Sequence, residues 1–123
     1  MLAQSPLIAF VTVTDTTRAH RFYGETLGLT LVDESPFALE FDCAGTMLRV
    51  ALANRVEAAP YTVLGWKVED IAVTLHRLAQ HGITAEIFEG LGQSADGVWQ
   101  SPGGARIAWL KDPDGNLLSV TEF

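Results

Sequence analysis

An internal repeat sets the frame for this chain. Asp15 and Asp70 each precede an amphipathic stretch and stand 55 residues apart, and Gly28 and Gly82, which close those stretches, stand 54 apart. Later landmarks recur at a wider spacing: Phe41 with Leu110 at 69 residues and Gly45 with Gly115 at 70. The spacing widens because the second copy carries a longer loop. A repeated unit of this kind leaves one face of its sheet bare when alone, so the copies constrain one another.

Within the first copy, Pro6 to Val13 alternates as a strand, and Asp15 is a helix N-cap. Ala19, Phe22, Tyr23, Thr26 and Leu27 follow at helical spacing, and Gly28 stops the helix. Leu29 to Val32 reads as a short strand and Ser35-Pro36 as a turn. Phe37, Leu39 and Phe41 alternate with polar partners, Ala44-Gly45 turns the chain, and Leu48, Val50 and Leu52 form the next strand. Asn54 to Pro60 is a linker. The second copy predicts a strand over 61–68, a helix after Asp70 that ends at His81-Gly82, and a strand over 83–88. A loop over 89–104 holds five glycines and Trp99. A strand over 105–110, the turn Asp112-Pro113-Asp114-Gly115-Asn116 and a strand over 117–122 complete it. The expectation is one domain over 1–123, with module one at about 6–53 and module two at about 61–123.

Composition excludes several functions. The net charge is −7, from 15 acidic and 8 basic residues, and no basic run exists. Nucleic-acid binding needs clustered Lys and Arg, so it is not expected. No apolar run reaches the ~18–20 residues of a membrane span, and the first basic residue is Arg18, which argues against a signal peptide. The single cysteine, Cys43, cannot form an internal disulfide, which suits a cytoplasmic protein. Its place at a hairpin turn, with no basic neighbour in sequence, argues against a nucleophile.

The run Asp15, Phe22-Tyr23, Leu27-Gly28-Leu29 resembles the first-module signature of the vicinal oxygen chelate superfamily. The run Asp112 to Asn116 resembles its second-module signature. That superfamily includes glyoxalase I, extradiol dioxygenases, fosfomycin-resistance enzymes and bleomycin-resistance proteins. The resemblance implies an α+β fold of two tandem βαβββ modules, with the sheets curled into a cup and the helices outside. It also implies a homodimer, and the need to cover sheet edges points the same way.

In metal-dependent members four His, Glu or Gln side chains from the first and last strands of each module line the cup. Carried over by spacing from Asp15, Asp70 and Asn116, those positions are Ile8, Arg49, Val63 and Ser119. Zinc, iron and manganese sites want imidazole, carboxylate or thiolate, and Arg adds a fixed positive charge. No metal or other cofactor is expected. His20, His76 and His81 fall on the helices and read as solvent-facing.

Strand parity assigns the strongly apolar set, including Val11, Val13, Phe37, Phe41, Trp66, Leu110 and Val120, to the helices. The opposite set faces the cup, and its expected ligand contacts are Phe10, Thr12, Glu40, Arg49, Lys67, Trp99, Trp109 and Ser119. Glu40 and Arg49 share a hairpin face: they orient a ligand, or they form an ion pair that satisfies itself. Trp109 offers a stacking face or fills core, and Trp99 makes the Gly-rich loop a lid or merely anchors it. The expected function is metal-free binding of an aromatic or amphipathic small molecule, with cations favoured modestly by the net charge. The alternatives are a metal-dependent lyase, isomerase or dioxygenase, with ligands such as Asp96 drawn from the loop, and a metal-free enzyme with Glu40 as general base.

Overall fold

Apolar alternation builds the first sheet. In the computed structural model, which describes residues 1–123, one unit spans Met1–Glu57 and another Ala58–Phe123. The first holds β1 (Ile8–Val13), α1 (Thr16–Ala19), a helical segment over His20–Thr26, β2 (Thr30–Glu34), β3 (Ala38–Cys43) and β4 (Thr46–Leu52). Its strands lie in the order β1-β4-β3-β2, with β1 parallel to β4 and the other pairs antiparallel. Val11, Val13, Leu39, Phe41, Leu48 and Val50 are buried, all on one face, together with Ala19, Phe22 and Tyr23 from the helical segment. The Tyr23 ring stands edge-on to Phe22 at 4.9 Å and tilted against Phe41 at 6.3 Å.

The first helix departs from its expected regularity. Asp15 caps it as predicted, accepting the Arg18 N–H at 3.0 Å. Beyond Ala19, however, the chain widens into a π-helix, and the Leu27 N–H reaches back five residues to the Phe22 carbonyl at 2.9 Å. Adjacent Phe22 and Tyr23 are both buried, a pairing the wider turn accommodates. Phe37 also departs from expectation: it is 74% exposed rather than core. The Ser35 hydroxyl accepts the N–H groups of Phe37 and Ala38, so Phe37 belongs to the turn and β3 starts one residue later.

The second unit holds β5 (Leu64–Lys67), α2 (Ile71–Gln80), β6 (Trp99–Gln100), β7 (Arg106–Lys111) and β8 (Leu117–Glu122). Its strands run β5-β8-β7-β6, with β5 parallel to β8. Asp70 caps α2 through the Val73 N–H at 3.0 Å, and Ile71 and Leu78 bury against β7 and β8. Glu122 ties the end of β8 to that helix: one carboxylate oxygen accepts the Ile71 N–H at 3.0 Å and the other faces Arg106 at 3.5 Å. Trp66, expected in the core, is half-buried.

Residues 83–88 do not form the expected strand. They touch β7 through one bond, from the Glu86 N–H to the Trp109 carbonyl at 2.8 Å. Their remaining polar backbone is taken by a side chain. Gln93 accepts the Phe88 N–H at 2.7 Å and donates to the carbonyls of Glu86 at 2.9 Å and Gly97 at 2.8 Å. The loop that follows is correspondingly less free than its glycine content suggests. It contains β6, which pairs Trp99 with Ile107, and its buried Gly97 turns with φ +92° where a Cβ would meet Ala85 at 2.5 Å.

Candidate functional site

Each sheet has a second face, opposite the helix, and the expected ligand contacts divide between the two. On the first sheet the register places Phe10 beside Arg49 and Arg49 beside Glu40 in one cross-strand row, with Thr12 beside Ala51 in the next row. Phe10 is 59% exposed. Arg49 Nη1 donates to Glu40 Oε1 at 2.5 Å. The two charges therefore satisfy each other, and the carboxylate that would serve as a general base is committed to a guanidinium.

On the second sheet the corresponding row is Gly65, Ser119 and Trp109. Trp109 is the centre of an aromatic cluster. The Trp99 ring lies tilted by 35° with its centroid 6.1 Å away, and Phe88 stands edge-on at 5.5 Å. The indole Nε1–H of Trp109 donates to Thr62 Oγ1 at 3.1 Å, which fixes the ring plane. All three rings remain partly open to solvent. Lys67, next along β5, holds its ammonium 5.9 Å from the Phe123 ring centroid. Trp99 and Trp109 thus come together as expected, while Phe88 and Thr62 join them unforeseen. Parity assigned Thr62 to the other face, but β5 begins only at Leu64, so parity does not hold there.

The carried metal positions do not fit a divalent cation. Ile8 stands beside Met47 and Arg49 beside Phe10; the Val63 N–H bonds the Leu117 carbonyl, and Ser119 stands beside Gly65. A shift along the same faces offers Thr12, Ala51, Lys67 and Thr121, none of them imidazole, carboxylate or thiolate. No three His, Cys, Asp or Glu side chains gather anywhere in the chain. Asp96 is engaged by the Ser94 hydroxyl. His76 contacts Gln80 at the helix surface, His81 is exposed, and His20 is half-buried against Phe41 at 6.4 Å. A separate cleft of about 600 Å³ runs along α2 between His76 and Asp96, and none of the expected contact residues lines it.

Two tandem βαβββ modules, each with a helix on one side of its sheet, define the vicinal oxygen chelate type of protein. The chain belongs to the Glyoxalase/Bleomycin resistance protein/Dioxygenase superfamily, whose profile matches residues 6–120. Among solved structures it is similar to a member of that superfamily from Sphaerobacter thermophilus DSM 20745, at 24% identity and TM-score 0.77, with all of both chains covered. A lactoylglutathione lyase from Agrobacterium tumefaciens is similar at 20% identity and TM-score 0.74, covering 97% of this chain and 93% of that one. TnmS3, an antibiotic binding protein from Streptomyces sp. CB03234, is similar at 24% identity and TM-score 0.68, covering 99% and 98%. These likenesses establish the fold. No curated protein matches the sequence. No helix is long and apolar enough to cross a membrane.

Proposed function

We propose that this chain binds a small aromatic or amphipathic molecule without a metal, and that the face carrying Trp109 is where it binds. The observation that carries this reading is the open cluster of Trp99, Trp109 and Phe88, with Trp109 held in plane by Thr62. Aromatic rings with a few fixed polar groups beside them are the usual composition of an organic-ligand site. The donor chemistry at Ile8, Arg49, Val63 and Ser119 supports the metal-free part, and the engaged Glu40 weakens the case for base catalysis. Among proteins of the same fold is one described as an antibiotic binding protein, so ligand sequestration is within the reach of this architecture. The reading includes a homodimer, because each four-stranded sheet ends on two edge strands that need cover. Light scattering is expected to give about twice the 13.3 kDa chain mass; a mass of one chain at micromolar concentration refutes that part.

Two of the three tryptophans lie in the cluster, so intrinsic fluorescence reports on it directly. A panel of planar aromatic amines and neutral aromatics titrated into the chelator-treated protein is expected to give saturable quenching. Trp109→Leu should weaken binding about 10-fold, roughly the 1.4 kcal/mol of one tenfold step and within the range for one aromatic contact plus its area. Unchanged affinity in Trp109→Leu, with the fold intact, sinks the assignment of this face.

A further inference from the structure

The two modules can be compared row by row, because their registers correspond. In the first sheet the row reads Phe10, Arg49, Glu40, and in the second Gly65, Ser119, Trp109. The first row is filled and closed on itself by an ion pair. The second has no side chain at one end and a hydroxyl in the middle.

Nothing in the backbone requires glycine at Gly65. Its φ lies outside the left-handed range, unlike those of Gly28, Gly45, Gly82 and Gly115. A glycine inside a strand weakens it, and its presence often marks a close approach by something else. Here the approach is by Ser119: a Cβ on Gly65 would lie 2.6 Å from Ser119 Oγ. The hydroxyl therefore rests in the space that a side chain at position 65 would take. Ser119 as a residue is 9% exposed, yet its oxygen makes no hydrogen bond within the chain and is not sealed from solvent. It is an open hydrogen-bonding group beside Trp109, at a position where the sheet surface is flat.

The geometry points to Gly65 as a specificity-determining residue that positions the Ser119 hydroxyl for a ligand on Trp109. The ligand class that fits is a flat aromatic system with one hydrogen-bonding group on its edge. The ring stacks at Trp109, its plane runs over the bare Gly65 backbone, and the edge group meets Ser119 Oγ. This rests on the binding face proposed above and adds the group that discriminates between ligands. A larger residue at 65 acts in two ways: alanine turns the hydroxyl away, and phenylalanine, the residue of the first module, also covers the flat surface.

A matched probe pair tests this: naphthalene, which offers only the ring, and 2-naphthol, which adds one edge hydroxyl. Equilibrium dialysis on the full chain should show 2-naphthol bound about 5-fold more tightly, the order of one neutral hydrogen bond. Ser119→Ala should erase that preference and leave naphthalene binding unchanged. Gly65→Ala should reduce the preference, and the double variant should be no worse than Ser119→Ala alone, since both act through one hydroxyl. Gly65→Phe should weaken both probes. A preference that survives Ser119→Ala overturns the inference, as does additivity in the double variant. Should Gly65→Ala fail to fold, as read by its thermal melt, Ser119→Ala still decides the matter. If neither probe binds the unaltered protein, the aromatic face itself is wrong and the inference falls with it.

Discussion

Asp112 shows how much one carboxylate can organise. It is 4% exposed and accepts the N–H groups of Asp114 and Asn116, each at 2.9 Å, and the Asn116 amide at 2.8 Å. Removing it leaves several donors without their acceptor in a buried turn, at about 1–3 kcal/mol for each group left unsatisfied. Asp112→Ala is therefore expected to destabilise the chain by about 3 kcal/mol, read as a lower urea midpoint at unchanged slope. A loss under 0.5 kcal/mol would show that the turn holds through its backbone alone. Asp15, Asp70 and Asp112 were legible in the sequence because each acts on atoms within about four residues. Thr62 was not. Its bond to Trp109 spans 47 residues, and no local pattern carries it.

At the scale of the element, local signals gave the right order and failed where a side chain replaced a backbone partner. The alternation in 83–88 is compatible with a strand, but Gln93 takes up the polar backbone of that segment. A glutamine seen in a Gly-rich loop gives no hint of this, since its three partners lie at residues 86, 88 and 97. The same bonds make the loop an anchored segment that carries Trp99 into β6. Gln93→Ala is expected to raise amide exchange at Phe88 at least 10-fold while the core strands stay protected. Unchanged protection at Phe88 would mean the loop is held by packing rather than by this side chain. The π-helical segment was hidden for a different reason. Helical spacing of Ala19, Phe22, Tyr23 and Leu27 reads the same for a regular helix, and the i+5 bonds arise only once Phe22 and Tyr23 bury together.

For the molecule as a whole, the duplication in the sequence carries furthest. The equal offsets of Asp15 with Asp70 and of Arg49 with Ser119 reappear as equal registers in the two parallel strand pairs. That correspondence makes the chemical difference between the modules readable: an ion pair beside Phe10 in one, and an open hydroxyl beside Trp109 in the other. Fold is thus shared with metal-dependent relatives, while the donor set that their chemistry needs is not present at the corresponding positions. The aromatic cluster was legible only in part. Trp109 and Trp99 stand out by residue type, but Phe88 joins them because residues 83–88 leave the sheet.

The most direct test of a metal-independent binding protein is its metal content. Untagged protein would be incubated with zinc, nickel, manganese or ferrous iron, desalted, and analysed by inductively coupled plasma mass spectrometry beside a ligand titration with and without chelator. The account predicts far less than one metal per chain in every case and a ligand affinity that the chelator leaves unchanged. About one tightly held metal per chain, with ligand binding lost on chelation, would contradict it and make the protein a metal-dependent member of its superfamily.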